Sequence, residues 1–428
     1  MGVPGLVEPH AEGGDVGIRR HEQERRLRGL VGLLQRVGGI QGRRLEGVDA
    51  ERVTLDGLAA LPTVSKQDLW DAYPFGFRAS DDIVCVHGSS GTGGRPTLVP
   101  YTAHDVDVWA SVMARALGGA GATRHSLIHN AYGYGLFTGG LGVHHGGMRL
   151  GATVLPLSGG MTERQVRLVA DLEPDVLCCT PSYALHLAEA LHRAGVEPTF
   201  TTGVFGAEPW TDGMRRQIED RLNLVALDIY GLSEVIGPGV ACESLDSEGL
   251  LNVAEDHFYV EALDDAGTPV PDGTPGELTF TTLTKTGMPL LRYRTGDIAS
   301  LHPPVAGSPR TLRRMSKLKG RKDDMLVVRG VNVFPTEIEA VVLADDRVAP
   351  HYLVIEDRRD PARPELRVAV EGDGHPDLAA RLTTALRERL GITAVVHVLP
   401  PGRVPRAETG KARRLARWTG GEPPIDLT

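Results

Sequence analysis

Between residues 151 and 230 short strand-like runs alternate with helical ones, and this alternation constrains the fold more than any other feature of the chain. Gly151 to Leu157, Val176 to Cys179, Gly203 to Phe205 and Ala226 to Tyr230 are the strand-like runs. Thr162 to Asp171, Ser182 to Ala194 and Asp212 to Leu222, lying between them, have helical spacing. Mostly apolar strands each followed by a helix argue for a parallel sheet covered by crossover helices. From Phe258 to Leu301 the pattern shifts to short alternating strands, with turn signals at Asp264-Asp265-Ala266-Gly267 and Pro271-Asp272-Gly273, which predicts a β-rich subdomain.

Upstream, Leu27, Leu30, Val31, Leu34 and Val37 predict a leading amphipathic helix within residues 18–46. Ser65 stands as the N-cap of a second helix, and Asp82 to His87 reads as a short buried strand entering a glycine-rich loop. After the linker-like stretch Pro303 to Arg310, strands at Tyr352 to Ile355, Leu366 to Glu371 and Thr393 to Leu399 mix with helices near Pro335 to Ala344 and Pro376 to Leu390. A chain of 428 residues exceeds one core at roughly 100–200 residues per domain. The expectation is therefore an α/β protein with a large N-terminal domain, residues 1–322, carrying parallel sheets, crossover helices and the β-rich subdomain. A small, mobile α+β C-terminal domain, residues 323–428, completes it.

A net charge of -9 excludes a global basic field for nucleic acid or an anionic membrane, so anionic substrates need local groups. Lysine is scarce: Lys66, Lys285, Lys317, Lys319, Lys322 and Lys411 are the only six. The N-terminus lacks a basic flank before an apolar run and no apolar stretch is long enough to span a bilayer, which predicts a cytoplasmic enzyme. Cys85, Cys178, Cys179 and Cys242 form no C-x-x-C pair, and His144 and His145 have no neighbours at zinc spacing, so reduced thiols are expected.

Five segments bear chemistry. In His87-Gly88-Ser89-Ser90-Gly91-Thr92-Gly93-Gly94-Arg95-Pro96-Thr97, bare N–H groups and hydroxyls can wrap phosphate oxygens. It is no Walker A loop, because Arg95 precedes Pro96 where lysine and a helix would follow. Asp228-Ile229-Tyr230-Gly231-Leu232-Ser233-Glu234 ends a strand with a carboxylate in the next turn, and in Tyr293-Arg294-Thr295-Gly296-Asp297 the Asp297 carboxylate could accept both hydroxyls of a ribose. The fourth segment runs from Gly320 and Arg321 to Glu339, and the fifth is Thr409-Gly410-Lys411-Ala412-Arg413-Arg414. Singly, each fits a plain structural turn or a surface tail.

In this order and spacing, the five resemble the adenylate-forming superfamily of acyl-coenzyme A synthetases, luciferase and peptide-synthetase adenylation domains. The chain is most similar to its phenylacetate-coenzyme A ligases through Ala131 to Gly142, Gly206-Ala207-Glu208-Pro209-Trp210, Glu255-Asp256-His257-Phe258-Tyr259 and Arg329 to Pro335, over about residues 60–415. The resemblance implies that an aryl acid is converted with ATP to an acyl-AMP and then to a coenzyme A thioester. Ser89, Ser90, Gly91, Thr92, Gly93 and Gly94 would hold the β- and γ-phosphates, and Glu234 would ligate Mg²⁺. Gly206, Ala207, Glu208, Pro209, Asp228, Ile229, Tyr230 and Gly231 would frame the nucleotide, with Asp297 and Arg321 at the ribose.

By the same resemblance Lys411 would bridge the attacking carboxylate and the α-phosphate. Asp323 would be the hinge of a domain rotation, and Gly330 would lie on the coenzyme A side. Tyr132, Tyr134, Phe137, Ala207, Ile236 and Pro238 would enclose the acid, and a homodimer is expected. Arg95 in place of the usual loop lysine, Thr92-Gly93-Gly94 and Leu251-Asn252-Val253-Ala254 depart from the degradative ligases. These departures leave open a biosynthetic role, with transfer to a carrier protein or activation of nitrite for diazotisation.

Overall fold

The computed structural model describes residues 5–89, 96–328, 331–360, 365–372, 374–406, 412 and 414–427. The leading helix spans Val16–Val37, capped by the Asp15 side chain, and ends where Gly38 and Gly39 adopt positive φ. Ser65 caps the helix Lys66–Asp71 in a reciprocal box with Asp68.

Strands β1 (Ile83–Ser89) and β2 (Thr97–Thr102) form an antiparallel hairpin in which Ser89 faces Thr97. The strands β3 (Leu127–Asn130), β4 (Thr153–Pro156), β5 (Val176–Cys179), β6 (Thr202–Gly206) and β7 (Val225–Leu232) are parallel, in the order β4-β3-β5-β6-β7. Helices Thr162–Leu172, Pro181–Ala194 and Asp212–Leu222 fall where the sequence placed them. Side chains on β5 alternate between two cores: Val176 and Cys178 join Trp109 and Val143, whereas Leu177 and Cys179 join Leu185 and Met214. Both faces are therefore covered, as parallel strands require.

The sheet is mixed rather than wholly parallel. Beyond β7 it continues antiparallel through β8 (Gly237–Cys242) and β9 (Leu251–Val253). Strands β10 (Phe258–Leu263), β11 (Gly276–Thr282) and β12 (Tyr293–Ala299) make the expected β-rich unit, later joined by β15. Strands β13 (Leu301–His302) and β14 (Arg314–Met315) return to the edge of the large sheet, and β15 (Gly320–Arg321) pairs with β12.

The C-terminal segment opens with a hairpin of β16 (Leu326–Val328) and β17 (Val331–Val333), followed by the helix Pro335–Val342. Strands β18 (Val348–Asp357), β19 (Glu365–Gly372), β20 (Ala394–Leu399) and β21 (Leu415–Trp418) form a four-stranded sheet ordered β20-β19-β18-β21, backed by the helix Leu378–Leu390. Among the described residues no helix is long and apolar enough to cross a membrane.

One carboxylate ties the loop after β11 to the central helix Ala103–Gly119. Asp105 is fully buried and accepts from Thr102 N (3.1 Å), Thr286 N (2.7 Å), Thr286 Oγ1 (3.2 Å) and Gly287 N (2.8 Å). Removing it strands three backbone donors, each costing about 1–3 kcal/mol. We expect Asp105→Ala to lower unfolding free energy by about 4 kcal/mol in urea titration. A loss below about 1 kcal/mol would refute this account of the loop.

Candidate active site

Of the segments singled out by sequence, the strand ending at Ser89 and the turn bearing Glu234 lie together by the carboxyl end of β7, and Asp297 reaches β7 through Tyr230. In sheets of this kind the chain leaves in opposite directions at a switch point, here between β3 and β5, and opens a crevice there. The loops after β3, β6 and β7 carry Tyr132, Glu208 and Glu234, and Ser182 lies in the first turn of the helix that follows β5.

The β1–β2 hairpin delivers the glycine-rich loop, and Pro96 leads back into β2 rather than into a helix. Ser90, Gly91, Thr92, Gly93, Gly94 and Arg95 lie outside the described residues, as do Arg329, Gly330 and Lys411. Ser89 is described, and its buried hydroxyl has no partner among the described residues. The hairpin base is stitched to its neighbours: Gly88 N donates to Leu136 O (2.8 Å), Ser233 Oγ to Gly88 O (3.1 Å), and Thr138 Oγ1 meets Ser233 Oγ (3.2 Å). The phosphate-loop strand, the aromatic segment and the turn bearing Glu234 are thus one hydrogen-bonded unit.

Glu234 is 2% exposed, yet among the described residues its carboxylate has distant neighbours, Lys66 Nζ at 3.7 Å and Tyr293 OH at 3.5 Å. A buried hard oxygen so weakly engaged suits a small divalent cation. Its turn depends on Gly231, where a Cβ would come within 1.9 Å of the Gly237 carbonyl oxygen. Lys285, buried against the Tyr101 ring, donates from Nζ to the Glu234 carbonyl (2.8 Å), and burial pushes its pKa down to about 8. Lys66 and Lys285 are site cations that motif reasoning left unassigned. Their signal was rarity, two of six lysines in the chain.

Asp297 is buried, and its carboxylate accepts from Tyr230 OH (2.8 Å) and Arg321 Nη1 (2.9 Å), joining three predicted nucleotide residues. Gly206 ends β6 against β7, where a Cβ would fall 2.2 Å from Ile229 O. Ala207 follows, exposed and at φ +71°, a strained conformation for a residue with a Cβ. Glu208, just before the partly buried Pro209, has both carboxylate oxygens engaged, by Ser182 N and Ala412 N, each at 2.7 Å. Asp323 lies exposed in the turn Lys322–Asp324, 3.7 Å from Arg321.

Of the six acid-pocket candidates, Tyr132 and Ile236 are buried, and the Tyr132 hydroxyl donates to Val204 O (3.4 Å). Tyr134 is half-buried; its hydroxyl accepts from Asn130 Nδ2 (2.8 Å) and lies 3.2 Å from His144 Nδ1, and burial lifts its pKa to about 12. Pro238 packs against Gly142, where a Cβ would sit 2.8 Å from its ring. Phe137 is 53% exposed and Ala207 is exposed, so these two face solvent. Among the described residues no group of three or more His, Cys, Asp or Glu side chains forms a metal cluster.

Comparison with known proteins agrees with this geometry. The family described as AMP-binding enzyme matches residues 43–284, and the AMP-binding enzyme C-terminal domain matches residues 330–417. A phenylacetate-coenzyme A ligase of Thermus thermophilus is 45% identical over 422 residues, covering 92% of this chain and 95% of that one. A solved 2-hydroxyisobutyryl-CoA ligase in the postadenylation state, in complex with R3-HIB-AMP, superposes with a TM-score of 0.90 at 26% identity, over 96% of this chain and 92% of that one. The same ligase in the thioesterification state, with 2-HIB-AMP and CoA, gives 0.71 at 27% identity over the same shares.

Asp228 supplies a test of the electrostatics beneath the site. Burial, reinforced by the Glu243 carboxylate that accepts its N–H (2.7 Å), raises the Asp228 pKa to about 6. Between about pH 4, where an unfolded aspartate titrates, and pH 6 the native state binds more protons than the unfolded one. Stability from this residue is therefore full below about pH 4 and is lost as pH climbs through 6. Asp228→Asn should gain about 2 kcal/mol on the parent at pH 7.5 and almost nothing at pH 4, read by urea unfolding at both values. An equal difference at both pH values would refute the shift.

Proposed function

The chain belongs to the AMP-binding enzyme family, and we propose on that premise that it activates an aryl carboxylic acid, phenylacetate or a close relative, as its acyl-AMP and transfers the acyl group to coenzyme A. The observation that carries this reading is the 45% identity to a phenylacetate-coenzyme A ligase across 92% of the chain. The hydrogen bonds that tie the strand ending at Ser89 to the turn bearing Glu234, and Asp297 to both Tyr230 and Arg321, support it.

In the first step a carboxylate oxygen attacks the α-phosphorus, the α–β phosphoanhydride bond breaks, and pyrophosphate leaves. The enzyme's work is positioning and charge neutralisation. The buried Ser89 hydroxyl and the loop Ser90 to Gly94 hold the terminal phosphates, with Lys66 as a nearby cation. Glu234 holds Mg²⁺, which neutralises phosphate charge when bound. Asp297 releases part of its hold on Tyr230 and Arg321 to take the ribose hydroxyls, and Lys411 bridges the two anionic reactants. Tyr132 and Tyr134 give the acid an aromatic wall whose hydroxyls are already occupied, which favours an aryl ring over a polar chain.

In the second step the thiolate of coenzyme A attacks the acyl carbon and AMP departs. We assign this step to a second arrangement, with residues 323–428 turning about Asp323 and Gly330 meeting the incoming thiol. A homodimer acting in the cytoplasm, where ATP and coenzyme A are available, completes the proposal, and sedimentation velocity tests its assembly.

Purified protein with Mg-ATP and a panel of aryl acids and nitrite should release pyrophosphate with phenylacetate-like acids and, given coenzyme A, form the aryl thioester. Lys411→Ala should lose the release. Release without thioester would reassign the acceptor to a carrier protein or an amine, and release with nitrite alone would overturn the aryl assignment. Glu234→Gln should lower the rate of adenylation on the order of 100-fold and raise the Mg²⁺ concentration needed for half-maximal rate. Unchanged metal dependence would remove Glu234 from that role.

A further inference from the structure

Glu208 sits where two distant parts of the chain meet, and its carboxylate is spoken for. One oxygen accepts from Ser182 N, in the first turn of the helix Pro181–Ala194, and the other from Ala412 N, both at 2.7 Å. The first partner is well anchored, because the helix is capped by Thr180 and its first turns, Pro181 to Leu185, are buried. The second is the backbone N–H of the residue that follows Lys411 in the sequence. Arg414 strengthens the same docking: its guanidinium donates to Ser182 Oγ (3.1 Å) and lies 4.5 Å over the Tyr352 ring.

We propose that Glu208 is a positioning residue for adenylation, holding the Lys411 segment against the large domain through the Ala412 amide rather than contacting the nucleotide itself. The inference rests on the role given to Lys411 above and deepens it. Three observations carry it. Each carboxylate oxygen accepts a backbone donor from a different segment, so the side chain is a bridge between two chain segments. The bridge connects the loop after β6, beside the nucleotide candidates Gly206 and Ala207, to the residue following the proposed catalytic lysine. Finally, these contacts belong to an arrangement that superposes on the postadenylation state of a related ligase better than on its thioesterification state.

The chemistry of the bridge makes a discriminating variant. A carboxylate offers an acceptor to each amide, whereas the glutamine side chain has one acceptor oxygen and an NH₂ that donates. Glu208→Gln therefore cannot satisfy Ser182 N and Ala412 N together, while its volume and backbone are retained.

The test measures the half-reactions separately in the full-length enzyme, for the parent, Glu208→Gln, Lys411→Ala and the double variant. Adenylation is read as phenylacetate-dependent ATP–pyrophosphate exchange, and thioesterification as thioester formation from supplied phenylacetyl-adenylate and coenzyme A. We expect Glu208→Gln to lower the maximal exchange rate about tenfold or more with the KM for ATP within about twofold, and to keep thioesterification within about twofold. The double variant should exchange no more slowly than Lys411→Ala, since the two act as a unit. The proposal is overturned if both half-reactions fall together, if the KM for ATP rises while the maximal rate holds, or if the double variant loses the product of the two single effects. Parent-like exchange by Glu208→Gln beside an inactive Lys411→Ala defeats Glu208 alone. Parent-like exchange by Lys411→Ala defeats the reading of the lysine, and with it any positioning through that residue.

Discussion

A parallel strand is buried on both faces, and most of this protein's architecture follows from that requirement. The side chains of β5 and β6 enter two separate cores, so neither sheet face is free to carry a polar site. What remains are the strand ends. Much of the candidate chemistry in the large domain lies at the carboxyl ends of these strands or on the hairpin beside them, with Asp297 and Arg321 supplied by β12 and β15 of the second sheet, and the hydrogen bonds among Gly88, Leu136, Thr138 and Ser233 hold the first group in register. Helices keep the sheet dry, and the short loops inherit the geometry of a rigid platform.

The second constraint is electrostatic. A chain of net charge -9 that binds a triphosphate has to concentrate its cations locally. The structure does this with few groups and spends some of them on structure. Lys285 is buried under Tyr101 and donates to the backbone carbonyl of Glu234; Asp105, whose field favours the charged amine, holds the very loop that presents it. The lysine thus fixes the backbone of the Glu234 turn while its carboxylate stays weakly bonded. Arg321 is committed to Asp297 in the same manner, an ion pair held in a site where a ribose is expected to intervene.

Much of the frame was legible in the sequence, because the signals were local. Val176–Cys179 and Asp212–Leu222 were read at their observed bounds, since Thr180 with Pro181 and the capping Thr211 mark the boundaries. Strand β3 was missed: it holds His129 and Asn130, polar residues whose burial is stabilised by Gln165, Tyr134 and Gly140 from elsewhere in the chain. Strand β21 was not read as a strand, because the ion pair of Arg417 with Glu356 and the stacking of Arg359 on Trp418 exist only once β18 is alongside. The antiparallel half of the main sheet escaped for a third reason. Strands of two or three residues such as β9, β13 and β14 carry too few positions to show a period. In the site, motifs found Glu234 and Asp297, while Lys66 and Lys285, set by long-range packing, were visible only as rare lysines.

The contact between the C-terminal unit and the large domain shows how one arrangement can be well defined without being permanent. Glu339 is 1% exposed and accepts from Thr211 N (3.0 Å), Thr211 Oγ1 (2.7 Å) and the Tyr352 hydroxyl, while burial pushes its pKa up. Nearby, His351 meets Glu189 at 3.0 Å. Each bond is offset by the desolvation of a charged or polar partner, and a buried carboxylate regains water when its cover moves away. An apolar seal alone would favour one pose strongly, because exposed hydrocarbon has no substitute partner. Polar bridges with water as the alternative weaken that preference where they occur, beside apolar packing in which Met214 and Leu343 belong to one core.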